Sequence, residues 1–141
     1  MLYKKVLVAF DGSPGAWKAL RRAIILSREL RSELAVLSVE EHLPHFPGTV
    51  GEVQEEKEEE NRHFARLHAE AASVAAQEGV SLRFAIVPGH SAQTIVRYAK
   101  EHAFDLIVIG QSGYSGVWGL LLGSTTDRVV DHAHCDVLVV R

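Results

Sequence analysis

The strongest chemical signal in this chain is the run Gly110-Gln111-Ser112-Gly113-Tyr114-Ser115-Gly116-Val117-Trp118-Gly119-Leu120-Leu121-Leu122-Gly123-Ser124, which holds five of the eleven glycines. Glycine lets a backbone take positive φ and bring its N–H groups close to an anion. Ser124 opens a segment of helical pattern, and a helix N-terminus favours negative charge. Together these can cradle a phosphate. The glycines alone are equally compatible with a flexible loop running into a capped helix. Gly-Lys occurs nowhere and no G-x-G-x-x-G follows an apolar run, which excludes a P-loop and an ordinary dinucleotide fingerprint. Ser112 and Ser115 lack the G-x-S-x-G frame of a hydrolase elbow.

A second candidate is Asp11, directly after the apolar run Val6-Leu7-Val8-Ala9-Phe10. At the end of a strand its carboxylate can accept hydrogen bonds from ribose hydroxyls or reach a phosphate-bound cation; the alternative is a plain Asp-Gly turn with Gly12. Other groups read as structural. Cys135 is the only cysteine and borders an apolar run, so it reads as a packing residue. His132 and His134, and His42 and His45, lack a third ligand at useful spacing and read as surface histidines. The run from Glu55 to Glu60 reads as a solvated helix face, with an acidic docking face as the alternative. Trp118 with Leu120 to Leu122 makes an exposed patch unless a ligand, the 42–51 connection or a partner covers it. No general base with a positioned partner is visible near the glycines.

These residues need elements to hold them. Five apolar, β-branched runs recur: Val6 to Phe10, Leu34 to Val39, Leu82 to Val87, Leu106 to Ile109 and Val137 to Val140. Continuous rather than alternating runs mark strands covered on both faces. Arg83 interrupts the third, which predicts an edge strand. Between them lie helical patterns from Pro14 to about Arg31, capped by Ser13; from about Val53 to Glu78, ended by Gly79; from Ser91, burying Ile95, Val96 and Ala99; and from Gly123-Ser124, carrying Val129, Val130 and Ala133. The order βαβαβαβαβ predicts one α/β domain over residues 1–141, a five-stranded parallel sheet with helices on both faces, Rossmann-like or flavodoxin-like, in strand order 3-2-1-4-5. The switch point then lies between Asp11 and Gly110. The stretch from His42 to Gly51, with two prolines and two glycines, is the one long connection and is expected to be mobile.

Composition narrows the function. The chain has 141 residues, 47% hydrophobic and 23% charged, with net charge −3. The basic residues are dispersed in sequence, which argues against nucleic-acid binding. No apolar run approaches the length of a membrane span. The start at Met1 runs straight into strand-like sequence without a signal peptide, and one cysteine suits a reducing compartment, so a cytoplasmic location is expected.

The spacing Gly110, Gly113, Gly123-Ser124 resembles the G-x2-G-x9-G-[ST] nucleotide-binding signature of the universal stress protein family. Val8-Ala9-Phe10-Asp11-Gly12-Ser13, Asp105 to Gly110 and His134 to Val140 agree in order, so the resemblance covers the whole chain. It implies the ATP-binding subclass, with ATP carrying Mg2+ or Mn2+. Ala9 and Val39 would meet the adenine and Asp11 the ribose or the metal. Gly110, Gly113, Gly123, Ser124 and Thr125 would enclose the phosphates, and Ile109 joins the set as the residue before Gly110. Gln111 stands where many relatives carry a basic or small polar residue, Ala16 where a serine is common, and Asp127 would repel a triphosphate without an intervening cation. The implied role is a nucleotide-responsive regulator without efficient catalysis. A slow metal-dependent ATP hydrolase and a nucleotide-free dimerisation module are the alternatives. A homodimer through strand five, residues 137–141, is expected, because nothing following it in this sequence covers its edge; a protein partner is expected too, unidentified.

Overall fold

The computed structural model describes residues 2–41, 50–112 and 122–141. Nine elements alternate: β1 (Lys5–Ala9), α1 (Pro14–Leu30), β2 (Glu33–Glu40), α2 (Val50–Gln77), β3 (Leu82–Pro88), α3 (Ser91–Glu101), β4 (Leu106–Gly110), α4 (Ser124–His132) and β5 (Asp136–Val140). The strands form one sheet in the order β3-β2-β1-β4-β5, every pair parallel. This is the order expected, with β1 and β4 adjacent and the Arg83-bearing strand at an edge.

Alternation along β1 divides the core. Val6, Val8 and Phe10 point to one face, where Ala19, Leu20, Ala23 and Ile24 of α1 and Ala71 and Ala75 of α2 pack on them. Leu7 points to the other, with Leu37, Ile107 and Ile109 beneath Ile95 and Ala99 of α3 and Val129 of α4. Burying such a side chain contributes roughly 1.5–3 kcal/mol, so both layers are held by strand residues that are fully covered.

The local signals act where expected. The Ser13 hydroxyl accepts from the Ala16 N–H at 3.2 Å and Pro14 is the first residue of α1. Gly79, at φ +72, takes the left-handed conformation after α2. Two expectations shift. Helix α2 starts at Val50, not Val53, so Val50 and Gly51 are helical rather than part of the connection; Gly in a helix costs only about 1 kcal/mol. Residues 42–49, with His42 and His45, lie outside the described residues. On α4, Val129 is buried but Val130 is 45% exposed, because one residue is about 100° of turn and the helix has a narrow buried face.

The buried stripe of helix α2 lies in its second half among the described residues. Phe64, His68, Ala71 and Ala75 are buried, while residues from Glu55 to Glu59 are exposed. His68 is the polar member of this stripe. The Ser38 hydroxyl donates to the Phe10 carbonyl at 2.6 Å and meets His68 Nε2 at 2.8 Å. Its single proton goes to Phe10, so His68 Nε2–H must donate. The ring also stacks on Phe84 of β3, with centroids 4.7 Å apart. Burial pushes the His68 pKa below its ordinary 6.5. The unfolded chain therefore takes up the proton first. The contribution to stability is complete above pH 6.5 and is lost as the pH falls toward the depressed folded value. Urea unfolding at about pH 7.5 and about pH 5.5 should show wild type losing more stability on acidification than His68→Gln; equal losses would contradict the assignment.

Candidate functional site

At the carboxyl ends of β1 and β4 the chain departs in opposite directions, into α1 on one face of the sheet and α4 on the other. A cleft of about 220 Å3 opens between these departures. Ala9, Asp11, Val39, Ile109, Gly110, Gly123, Ser124 and Thr125 all line it. Gly113, the other residue of the set, lies with Trp118 in residues 113–121, outside the described residues. Sequence reasoning missed Ser13, Leu37, Glu41, Ser91, Ser112 and Thr126, which also line the cleft. Glu41 and Ser91 carried no motif; their one signal was their place just after strand two and at the first turn of the third helix.

The polar geometry is tight on the α1 side. Asp11 Oδ1 accepts from the Ser13 N–H at 2.9 Å and Gly12 has φ +82, so the Asp-Gly turn is real. The same residue lines the cleft, so the turn and a ligand contact do not exclude each other. Opposite, α4 begins with Gly123 at its N-cap position and no side chain capping it; Ser124 is the first helical residue rather than the cap. Gly123 thus offers the first-turn amides of α4 no side-chain acceptor, which leaves them suited to an anion. The Thr126 hydroxyl donates to the Gly110 carbonyl at 2.7 Å, and the Gly123 N–H to the Gln111 carbonyl at 2.8 Å. These bonds pin the start of α4 to the end of β4.

Glu41 closes the third side. Its Oε1 accepts from the Ser91 N–H at 2.9 Å, which holds its carboxyl below its ordinary 4.5 with help from His90. Asp11 and Glu41 are the titratable residues among the described lining, and no histidine, lysine or cysteine joins them. Asp127, expected to oppose a phosphate, is not among the lining residues. No group of three His, Cys, Asp or Glu suited to a metal occurs among the described residues. The Cys135 thiol is raised by burial and by Asp136 and Asp105, and packs against the α3/α4 layer as expected.

Two glycines set the width of the cleft. A Cβ on Gly15, in the first turn of α1, would stand 2.1 Å from the Ser112 carbonyl oxygen, and one on Gly110 would stand 2.6 Å from the Gly15 carbonyl oxygen. Both are backbone contacts, so the main chain itself must yield. Gly15 was not foreseen, since it reads simply as a helix residue after Pro14. Gly15→Ala and Gly110→Ala should each destabilise the fold by about 1–3 kcal/mol in urea unfolding, although alanine is the better helix former. Unchanged stability would show that the two turns are not held in contact.

The comparisons with known proteins agree with this geometry. The profile of the universal stress protein family matches residues 2–141. A universal stress protein of Methanocaldococcus jannaschii is 33% identical over 145 residues, covering 99% of this chain and 83% of its own. Among solved structures, universal stress protein UspA from Lactobacillus plantarum superposes with a TM-score of 0.89 at 31% identity, covering 99% of this chain and 98% of its own. A universal stress protein solved in complex with cAMP superposes with a TM-score of 0.76 at 27% identity, covering 100% of this chain and 99% of its own. With a parallel sheet in the order β3-β2-β1-β4-β5, a glycine-lined cleft at its switch point and a family match along nearly its entire length, the chain belongs to the universal stress protein family.

Proposed function

We propose that this protein is a regulator that binds ATP, with Mg2+ or Mn2+, in the cleft between β1 and β4, and that its nucleotide state governs its binding to a protein partner in the cytoplasm. The observation that carries this reading is the meeting, in one cleft, of apolar strand ends, a carboxylate and a helix N-terminus without a side-chain cap. The cAMP-bound relative supports an adenine nucleotide as the ligand class.

In this reading Ala9, Val39 and Ile109 form the apolar floor for the adenine. Asp11 accepts from the ribose hydroxyls or reaches the cation. Ser124 and Thr125 offer the phosphates backbone N–H groups and hydroxyls, Gly110 and Gly123 let the backbone approach closely, and Gly113 would join them from the segment outside the described residues. The donor set fits a hard cation: Asp11, Ser124 and Thr125 supply oxygens, and no three-ligand cluster exists among the described residues, so the metal enters with the phosphates. The cation would neutralise phosphate charge beside Asp11.

Catalysis is not favoured. Activating water needs a base or a metal-bound hydroxide within reach of the phosphorus. Glu41 accepts from the Ser91 N–H, Asp11 is assigned to the ribose or the cation, and no histidine lines the cleft among the described residues. Phosphate release should stay far below about 1 per second, the low end of ordinary enzyme turnover. Fast metal-dependent release that is lost in Asp11→Ala would favour the hydrolase reading instead.

We further propose a homodimer through β5. No described strand pairs with its outer edge, and Leu138 on it is 36% exposed. An edge of unpaired backbone groups recruits another strand. Sedimentation should give a dimer at micromolar concentration and a monomer for Leu138→Asp; a wild-type monomer would contradict the proposal. For the cleft, calorimetry with MgATP should show Asp11→Ala binding at least about tenfold more weakly, the scale of losing one charge-assisted hydrogen bond. Equal binding by both proteins would show that the carboxylate is not a ligand contact.

A further inference from the structure

A second and larger cavity, about 950 Å3, runs between α3 and α4 and shares Glu41, Ser91, Ser124 and Thr125 with the cleft. Its lining is strongly cationic. Arg97 and Lys100 come from α3 and Arg128 from α4, with three histidines beside them and Glu41 as the one carboxylate. Helical spacing explains the grouping. Arg97 and Lys100 are three apart on α3, and Ser124 and Arg128 four apart on α4, so each pair shares a helix face. The two helices pack side by side, which turns these faces into the walls of one groove.

These cations are not consumed by internal ion pairs. Arg97, Lys100 and Arg128 are exposed, and none of them makes a salt bridge with a described carboxylate. Glu41, by contrast, is occupied by the Ser91 N–H. In a chain of net charge −3, three unpaired permanent cations around one groove form a local site of opposite sign. Through Ser124 and Thr125 it meets the start of α4, where Gly123 supplies no side-chain cap and which the cleft also borders.

Resting on the nucleotide reading of the cleft, we propose that this groove is an anion subsite that receives phosphate groups extending beyond those of ATP. The ligand class would be a nucleotide with a longer phosphate chain, such as an adenosine tetraphosphate or a dinucleoside polyphosphate. Its first phosphates lie over the start of α4 and its further phosphates run along the groove to Arg128, Arg97 and Lys100. A phosphate chain suits the groove because its cations stand on both walls, Arg97 and Lys100 one turn apart on α3 and Arg128 on α4, so successive phosphates can each meet one.

The test compares MgATP, magnesium adenosine 5′-tetraphosphate and inorganic tetrapolyphosphate by calorimetric titration of wild type and of the double variant Arg97→Gln/Lys100→Gln. Both residues are exposed and outside the cleft lining, so the variant should melt as wild type does. Wild type should bind the tetraphosphate about tenfold more tightly than ATP, the scale of one charge-assisted contact. The double variant should lose that preference and keep its ATP affinity, and added salt should shrink the preference. A wild type without the preference, or a double variant that retains it, would overturn the proposal. If ATP does not bind but tetrapolyphosphate binds and is lost in the double variant, the nucleotide reading fails and the anion groove stands. If neither ligand binds, both fail.

Discussion

The site depends on one constraint: the first turn of α1 and the end of β4 touch through backbone. The Gly15 carbonyl oxygen would lie 2.6 Å from a Cβ on Gly110, and the Ser112 carbonyl oxygen 2.1 Å from one on Gly15. Side chains at these positions would separate the two turns, and with them the two walls of the cleft. The remaining bonds build on that approach. Thr126 ties α4 to the Gly110 carbonyl, Gly123 returns its N–H to Gln111, and Gln111 donates in turn to the Val140 carbonyl of β5. The cleft wall is thereby connected to the edge strand proposed to form the dimer.

A second set of contacts supports the other wall. Phe10, the residue before Asp11, is held by the Ser38 hydroxyl on its carbonyl and by an edge-on contact with Trp17, their ring centroids 4.9 Å apart. Ser38 in turn is held by His68 of α2. The long polar helix α2, with no residue among the described lining of the cleft, therefore reaches its mouth through one buried polar chain. Buried polar groups of this kind are tolerated only when satisfied, and here the serine meets both of its neighbours.

Much of this was legible in the residues. Uniformly apolar Val6 to Phe10 and Leu106 to Ile109 marked the central strands, and Arg83 marked the edge, because burial on two faces leaves no room for a charge. Asp11, Gly110, Gly123 and Ser124 were readable from their place at a strand end or in the glycine spacing, while Ala9, Val39, Ile109 and Thr125 came from what the family resemblance implies. What stayed hidden depends on tertiary approach. Gly15 looked like a poor helix residue until Ser112 was brought against it. Glu41 and Ser91 are far apart in sequence and meet only when β2 and β3 place the start of α3 beside the end of β2. The basic residues looked dispersed because Arg97 and Arg128 belong to different helices; packing α3 on α4 gathers them. Ser124 was read as opening the helix, which it does, while the cap position itself falls to Gly123.

The account turns on whether the cleft holds an adenine nucleotide. The most direct measurement is mass spectrometry of the small molecules released when the protein, purified without added nucleotide, is denatured. The account predicts an adenine nucleotide, released by wild type and strongly reduced in Asp11→Ala. A wild type that releases none, and that takes up none when first incubated with MgATP and then desalted and denatured, would contradict it.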